Sequence, residues 1–155
     1  MGFGPGPTNQ PEDVVALVSS EDPLRLHRKG ENKDLFLTAT QLFKIIPDVR
    51  FPGEYKARTL AYIYSVRTDS DDAENAELIA WHWHPLTTPD RVEPHMHVQA
   101  VPPLGLKLHT PSGRVSFEQV VRFLVDDLQV EPSRDDWRTI IDECDQRFRE
   151  FKTWG

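Results

Sequence analysis

The chain has 155 residues with 38% hydrophobic and 10% aromatic content, enough to bury one core of its own. A formal net charge of -7 excludes general, sequence-blind adhesion to nucleic acid, although a local basic patch is compatible with it. The single cysteine, Cys144, excludes an intrachain disulfide framework and a Cys-based zinc site, and makes a reducing compartment, the cytoplasm, the expected location.

Taken in order, residues 1–11 are dominated by Gly, Pro and small polar residues, which bury too little apolar area to offset the entropy of ordering. A loose arm is expected there, followed by a single α+β domain over 12–155. Met1 to Gln10 lacks the basic and apolar parts of a signal peptide, and no apolar run approaches the roughly 20 residues that span a bilayer, so no membrane role is expected. Val14, Val15, Leu17 and Val18 form a run too short to distinguish a helical turn from a strand, and Pro23 ends it.

Leu35 to Ile46 mixes alternation with continuous apolarity and reads as a strand, broken by Pro47 and by Phe51-Pro52-Gly53. Arg58 to Arg67 is a clearer strand, rich in β-branched and aromatic residues, with Leu60, Tyr62, Tyr64 and Val66 on one face. The acidic stretch Asp69 to Asn75 lacks the ligand spacing of a calcium loop and reads as a solvated turn.

Glu77 to His84 is the next strand, and it ends in Trp81-His82-Trp83-His84. Because strand side chains alternate, His82 and His84 share one face while Trp81 and Trp83 share the other. His95-Met96-His97-Val98 repeats the arrangement, and Pro85, Thr87, Thr88, Pro89, Asp90 and Pro94 between them suit a reversal. A hairpin that pairs His84 with His95 also pairs His82 with His97, with opposed Cβ atoms roughly 5 Å apart. That makes a four-imidazole cluster. A polar strand face that happens to be rich in His is the bland alternative. Two facing pairs favour function, since imidazole is not a favoured strand residue and clustered His marks metal and acid–base sites.

Past Pro102-Pro103, Leu104, Leu106 and Leu108 share one face of a last strand and Lys107 and His109 the other. His109 to Val115 then leads into a helix whose free N–H groups and dipole attract anions. Arg114 can offer a bidentate fork and Lys107 a point charge. Lys107, Arg114 and Ser116 are therefore candidate substrate-binding residues, in a loop that is not a Walker loop. The alternative is an ordinary turn with a solvated Arg114.

Ser116-Phe117-Glu118-Gln119 has the form of a capping box, and Val120, Val121, Phe123, Leu124 and Leu128 recur at helical spacing, with Asp126-Asp127 outward. Ser133 and Asp136 give a second start signal. Trp137, Ile140, Ile141, Cys144 and Phe148 trace one face of a last helix, ending near Lys152 and placing Cys144 in the core. The pattern is that of an α+β domain: an antiparallel meander of about four to five strands, then two C-terminal helices packed on one face, the tryptophan face. The histidines are left towards a cleft or solvent.

Trp81-His82-Trp83-His84-Pro85, Pro94-His95-Met96-His97-Val98 and His109-Thr110-Pro111-Ser112-Gly113-Arg114-Val115, leading into an apolar helix, together resemble the TumE-like toxins of prokaryotic toxin–antitoxin modules and related small His-x-His proteins. The likeness spans roughly Tyr62 to Trp137, and departs at Met96, where the toxin motif is richer in adjacent histidines. It implies a growth-inhibiting protein that acts on RNA and is neutralised by an antitoxin partner.

Three functions follow. The first is an RNA-cleaving enzyme without a cofactor, drawing acid and base from His82, His84, His95, His97 and His109, with Arg114 and Lys107 stabilising the charged phosphorane. The second is a zinc site of His82, His84, His95 and His97, with Zn–N distances of about 2.0–2.1 Å and water completing a catalytic centre. No obvious carboxylate accompanies that cluster, Glu93 being the nearest in sequence. The third is an interaction module presenting its acidic helices to a basic partner.

Overall fold

The computed structural model describes residues 2–4, 14–19, 22–31, 33–68, 77–85, 93–99 and 107–151, and at 2–4, 107–109 and 151 it describes the backbone alone. The β-branched and aromatic residues between Leu35 and Arg67 build two 13-residue strands, β4 (Leu35–Pro47) and β5 (Tyr55–Arg67). Before them come β1 (Gly2–Gly4), β2 (Val14–Val18) and β3 (Leu24–Leu26); after them come β6 (Glu77–Trp83), β7 (His95–Gln99) and β8 (Lys107–Pro111). Helices α1 (Phe117–Asp126) and α2 (Trp137–Phe151) close the chain.

All pairings are antiparallel, in the order β1-β2-β4-β5-β6-β7-β8, with β3 also on β4. The α+β class, the meander and the two terminal helices stand as expected, but the sheet is wider. The thirteen residues of β4 accept two partners on one edge, β2 against Thr40 to Lys44 and β3 against Leu35 to Leu37. That free edge settles the ambiguous Val14–Val18 run as a strand. Gly2–Gly4, expected within the loose arm, pairs with β2; residues 5–13 lie outside the described residues, as do the acidic turn, the 86–92 reversal, and Leu104 and Leu106.

Alternation gives the sheet one dry face. Leu37 lies opposite Val66, Ala39 opposite Tyr64, Tyr64 opposite Trp81 and Tyr62 opposite Trp83, and these residues meet Val120 and Leu124 of α1 in one buried cluster. Trp81 packs edge-on against Phe123 at 5.3 Å between ring centroids, a geometry aromatic pairs favour. Ser116 caps α1 as its sequence requires: its hydroxyl accepts the Gln119 N–H, and the Gln119 side chain accepts the Ser116 N–H at 2.8 Å. The Val115 N–H donates to the Tyr62 hydroxyl at 2.9 Å, fixing the entry of the helix over β5.

The turn between β4 and β5 is held electrostatically. The buried Asp48 carboxylate accepts from Arg50 at 3.0 Å and lies 3.4 Å from the Lys56 Nζ, and the Arg50 hydrogen bonds hold its pKa well below the usual range. Gly53, at φ 90, supplies a conformation that side-chain-bearing residues rarely adopt. Arg50 also donates to the Glu150 carbonyl at 2.8 Å, tying this turn to α2.

Helix α2 starts at Trp137, one residue after Asp136, and only half-buries its apolar stripe of Trp137, Ile140, Ile141 and Phe148. Cys144 is exposed, which corrects its expected place in the core: the residue lies on the right stripe, but among the described residues that stripe is only half-buried. Among the described residues no helix is long and apolar enough to cross a membrane.

These placements predict opposite outcomes for two helical substitutions. Leu124→Ala, which empties a buried site between α1 and the sheet, should cost about 2–5 kcal/mol in urea unfolding. Cys144→Ala should stay within about 0.5 kcal/mol; a large loss there would mean the α2 stripe is covered after all.

Candidate metal centre

The second face of β6 and β7 carries the imidazoles. The register pairs Ala80 with His97 and His82 with His95, two residues from the pairing of His84 with His95 and His82 with His97. An even slip leaves every side chain on its expected face, so the four histidines still gather. His82 now has His95 directly opposite and His97 on the diagonal. His84 follows the last paired residue and is half-buried.

Ring centroids lie 4.2 Å apart for His82 and His97, 5.2 Å for His95 and His97 and 5.6 Å for His82 and His95. His84 stands 5.4 Å from His95 and 5.8 Å from His82. One ring nitrogen from each of His82, His95 and His97 falls within 4.8 Å of the others. His95 and His97 are buried.

The second nitrogens of two of these rings face oxygens, one within hydrogen-bond distance and one beyond it. The His95 Nδ1 is 3.2 Å from the Glu93 carbonyl oxygen, so Glu93 serves the cluster through its backbone and not through its carboxylate. The His97 Nδ1 is 3.4 Å from Glu77 Oε1. Among the described residues the buried His82 Nε2 has no hydrogen-bond partner.

Glu77 is the residue that sequence reasoning missed. Strict alternation from His82 puts Glu77 on the tryptophan face. The ladder slips between Val66 opposite Ile79 and Arg67 opposite Glu77, leaving Leu78 as an extra residue. This bulge lets Leu78 and Ile79 both pack against the dry core and turns Glu77 to the imidazoles. There the Ser65 hydroxyl donates to Glu77 Oε2 at 2.9 Å, and Arg67, opposite Glu77 in register, donates to Thr38 Oγ1 at 3.1 Å. An acidic residue at a strand start, across from an Arg at the end of its neighbour, is the only trace in the sequence.

The remaining candidates divide. The backbone register sets His109 opposite His97 and Lys107 opposite Gln99, so the fifth histidine lies next to His97 in the backbone ladder. Arg114 goes elsewhere, its guanidinium carbon 3.8 Å from the centre of a Trp83 ring, on the tryptophan side. Burial there lowers its pKa. Ser116 is committed to capping α1.

Burial, then the neighbouring His97, and more weakly His95 and His84, push the His82 pKa down to about 4, with Glu77 opposing. No protein-family model, curated protein or solved structure matches the chain.

The lowered His82 value predicts a pH dependence. Between the ordinary value of 6.5 and the folded value of about 4, the unfolded chain binds the extra proton, so stability falls as pH falls through that window and levels off below it. One such group contributes a slope of at most about 1.4 kcal/mol per pH unit. Urea unfolding in chelator should therefore show a shallower loss between these pH values for His82→Gln than for the wild type. Parallel profiles would show that His82 is not shielded among Glu77, His84, His95 and His97.

Proposed function

We propose that the protein is a metal-dependent hydrolase whose centre is a zinc-type ion held by His82, His95 and His97. The observation that carries this reading is the convergence of three ring nitrogens within 4.8 Å on a buried strand face. Imidazole suits zinc and its neighbours among the transition metals, and three protein ligands with a position left for water or substrate is the pattern of catalytic zinc, structural sites using four. Such an ion supplies a Lewis acid and lowers the pKa of a coordinated water to about 7. The protein orients the ligands: the Glu93 carbonyl holds His95 and Glu77 faces His97. His84, half-buried and outside the three-nitrogen group, is placed to pass protons between that centre and solvent.

A second reading uses the same imidazoles without an ion, as acid and base in RNA cleavage by a growth-inhibiting protein with an antitoxin partner. It is favoured by the half-buried His84 ring standing 5.4 Å from the buried His95 ring, which gives two imidazoles near enough to each other to serve one phosphate as acid and base. The position of Arg114 against Trp83 takes from that reading the bidentate half of its phosphate clamp.

Elemental analysis separates the two. Protein purified without a histidine tag, loaded with zinc and dialysed, should retain about one equivalent. Retention should be lost in His82→Ala, His95→Ala and His97→Ala and kept in His84→Ala. A panel of nitrophenyl esters and phosphodiesters should show hydrolysis that chelator removes and zinc restores. Absence of bound metal, with RNA cleavage unaffected by chelator, would replace the first reading by the second.

A further inference from the structure

We propose that Glu77 is the positioning residue of this centre, its carboxylate receiving the Nδ1–H of His97 so that the Nε2 of that ring is presented to the ion. The proposal rests on the three-histidine reading. It concerns a residue that does not itself coordinate.

The side chains of Glu77 and His97 are each only 11% exposed, and their facing atoms lie 3.4 Å apart. Burying a carboxylate is costly unless it is held. Here Ser65 fixes one oxygen at 2.9 Å, which leaves the other oxygen aimed at the ring. The distance is longer than a formed N–H···O bond, and contacts of this kind tighten when a site is filled. A proton on Nδ1 directed at Glu77 makes Nε2 the lone-pair nitrogen. His97 is also the ring closest to His82, at 4.2 Å between centroids.

Charge points the same way. Three neutral imidazoles leave the two positive charges of the ion uncompensated, and a carboxylate one hydrogen bond removed offsets part of that while raising the basicity of the ligand. Among the described residues, His95 meets a neutral carbonyl and His97 faces a carboxylate. The bulge at Leu78 is what gives Glu77 access, since regular alternation would turn it to the tryptophan face.

Arg67 supplies the competing account. It lies opposite Glu77 in register, with its Nη2 on Thr38, so Glu77 could serve only to balance a half-buried guanidinium. A purely structural partner of Arg67 would affect folding and leave metal affinity alone.

The test is chelator-competition titration of Zn²⁺ and Co²⁺ into the full chain. Glu77→Gln should bind each ion about tenfold to a hundredfold more weakly, while the Co²⁺ visible bands keep their positions because no ligand has changed. Wild-type affinity in Glu77→Gln would overturn the proposal, and so would displaced Co²⁺ bands, which would make Glu77 a direct ligand. Should Glu77→Gln fail to fold, Ser65→Ala removes the carboxylate's other anchor and should weaken binding by a smaller factor; unchanged affinity in it overturns the proposal equally. A wild-type chain that binds no ion overturns the three-histidine reading and this proposal with it, whereas metal binding indifferent to Glu77 overturns this proposal alone.

Discussion

The two-residue period of the strand, interrupted once at Leu78, is the constraint on which the rest of the structure depends. Across β5, β6 and β7 it sends Tyr62, Tyr64, Val66, Trp81 and Trp83 to one side, where α1 covers them. The same period sends Ser65, His82, His95 and His97 to the other. Neither face is independent of the other. A one-residue slip in β6 would carry both tryptophans out of the core and all its histidines into it, so the aromatic packing against α1 fixes the orientation of the imidazoles.

The histidine face is polar and yet shielded. Thr38, Arg67, Ser65, Glu77 and His97 form a sequence of neighbouring polar groups across three strands and into a fourth, joined by the Arg67 to Thr38 and Ser65 to Glu77 hydrogen bonds and the Glu77 to His97 contact. A buried polar group left without its partner costs its full desolvation penalty, so each member of this set depends on the next being in place. Local rules are broken in this way where a site is built. The bulge is the clearest sign: it adds an unpaired residue to β6 at the place where regular pairing would have kept Glu77 away from His97.

Much of this was legible in the residues. Trp-His-Trp-His and His-Met-His alternate so plainly that the shared face followed from strand geometry alone, and Ser116 with Gln119 announced the start of α1. The register of β6 on β7 was not legible, because a turn rich in Pro and Thr accommodates several loop lengths, and shifts of two residues leave the pattern of faces identical. Glu77 escaped for the opposite reason: a bulge changes the parity of a strand without leaving a mark in its composition. The edge strands were hard to see because Val14–Val18 and Leu24–Leu26 are too short for a period to declare itself. Cys144 shows the limit of helical patterning, which reports the apolar stripe but not how much of it a neighbour covers.

The choice between an ion and a pair of free imidazoles turns on where the cations went. An acid–base reaction at phosphate needs positive charge beside the reacting oxygens, and Arg114 is instead spent on the face of Trp83, on the other side of the sheet. Arg67 stands nearer the imidazoles, opposite Glu77 in register, but its Nη2 donates to Thr38 Oγ1. The cluster therefore meets its surroundings as a set of close, shielded rings, and at His82 the proton is disfavoured because burial and the facing His97 oppose its charge. On the proposed reading, three ring nitrogens within 4.8 Å of one another are satisfied together by one shared cation, as three imidazoles around a single zinc are.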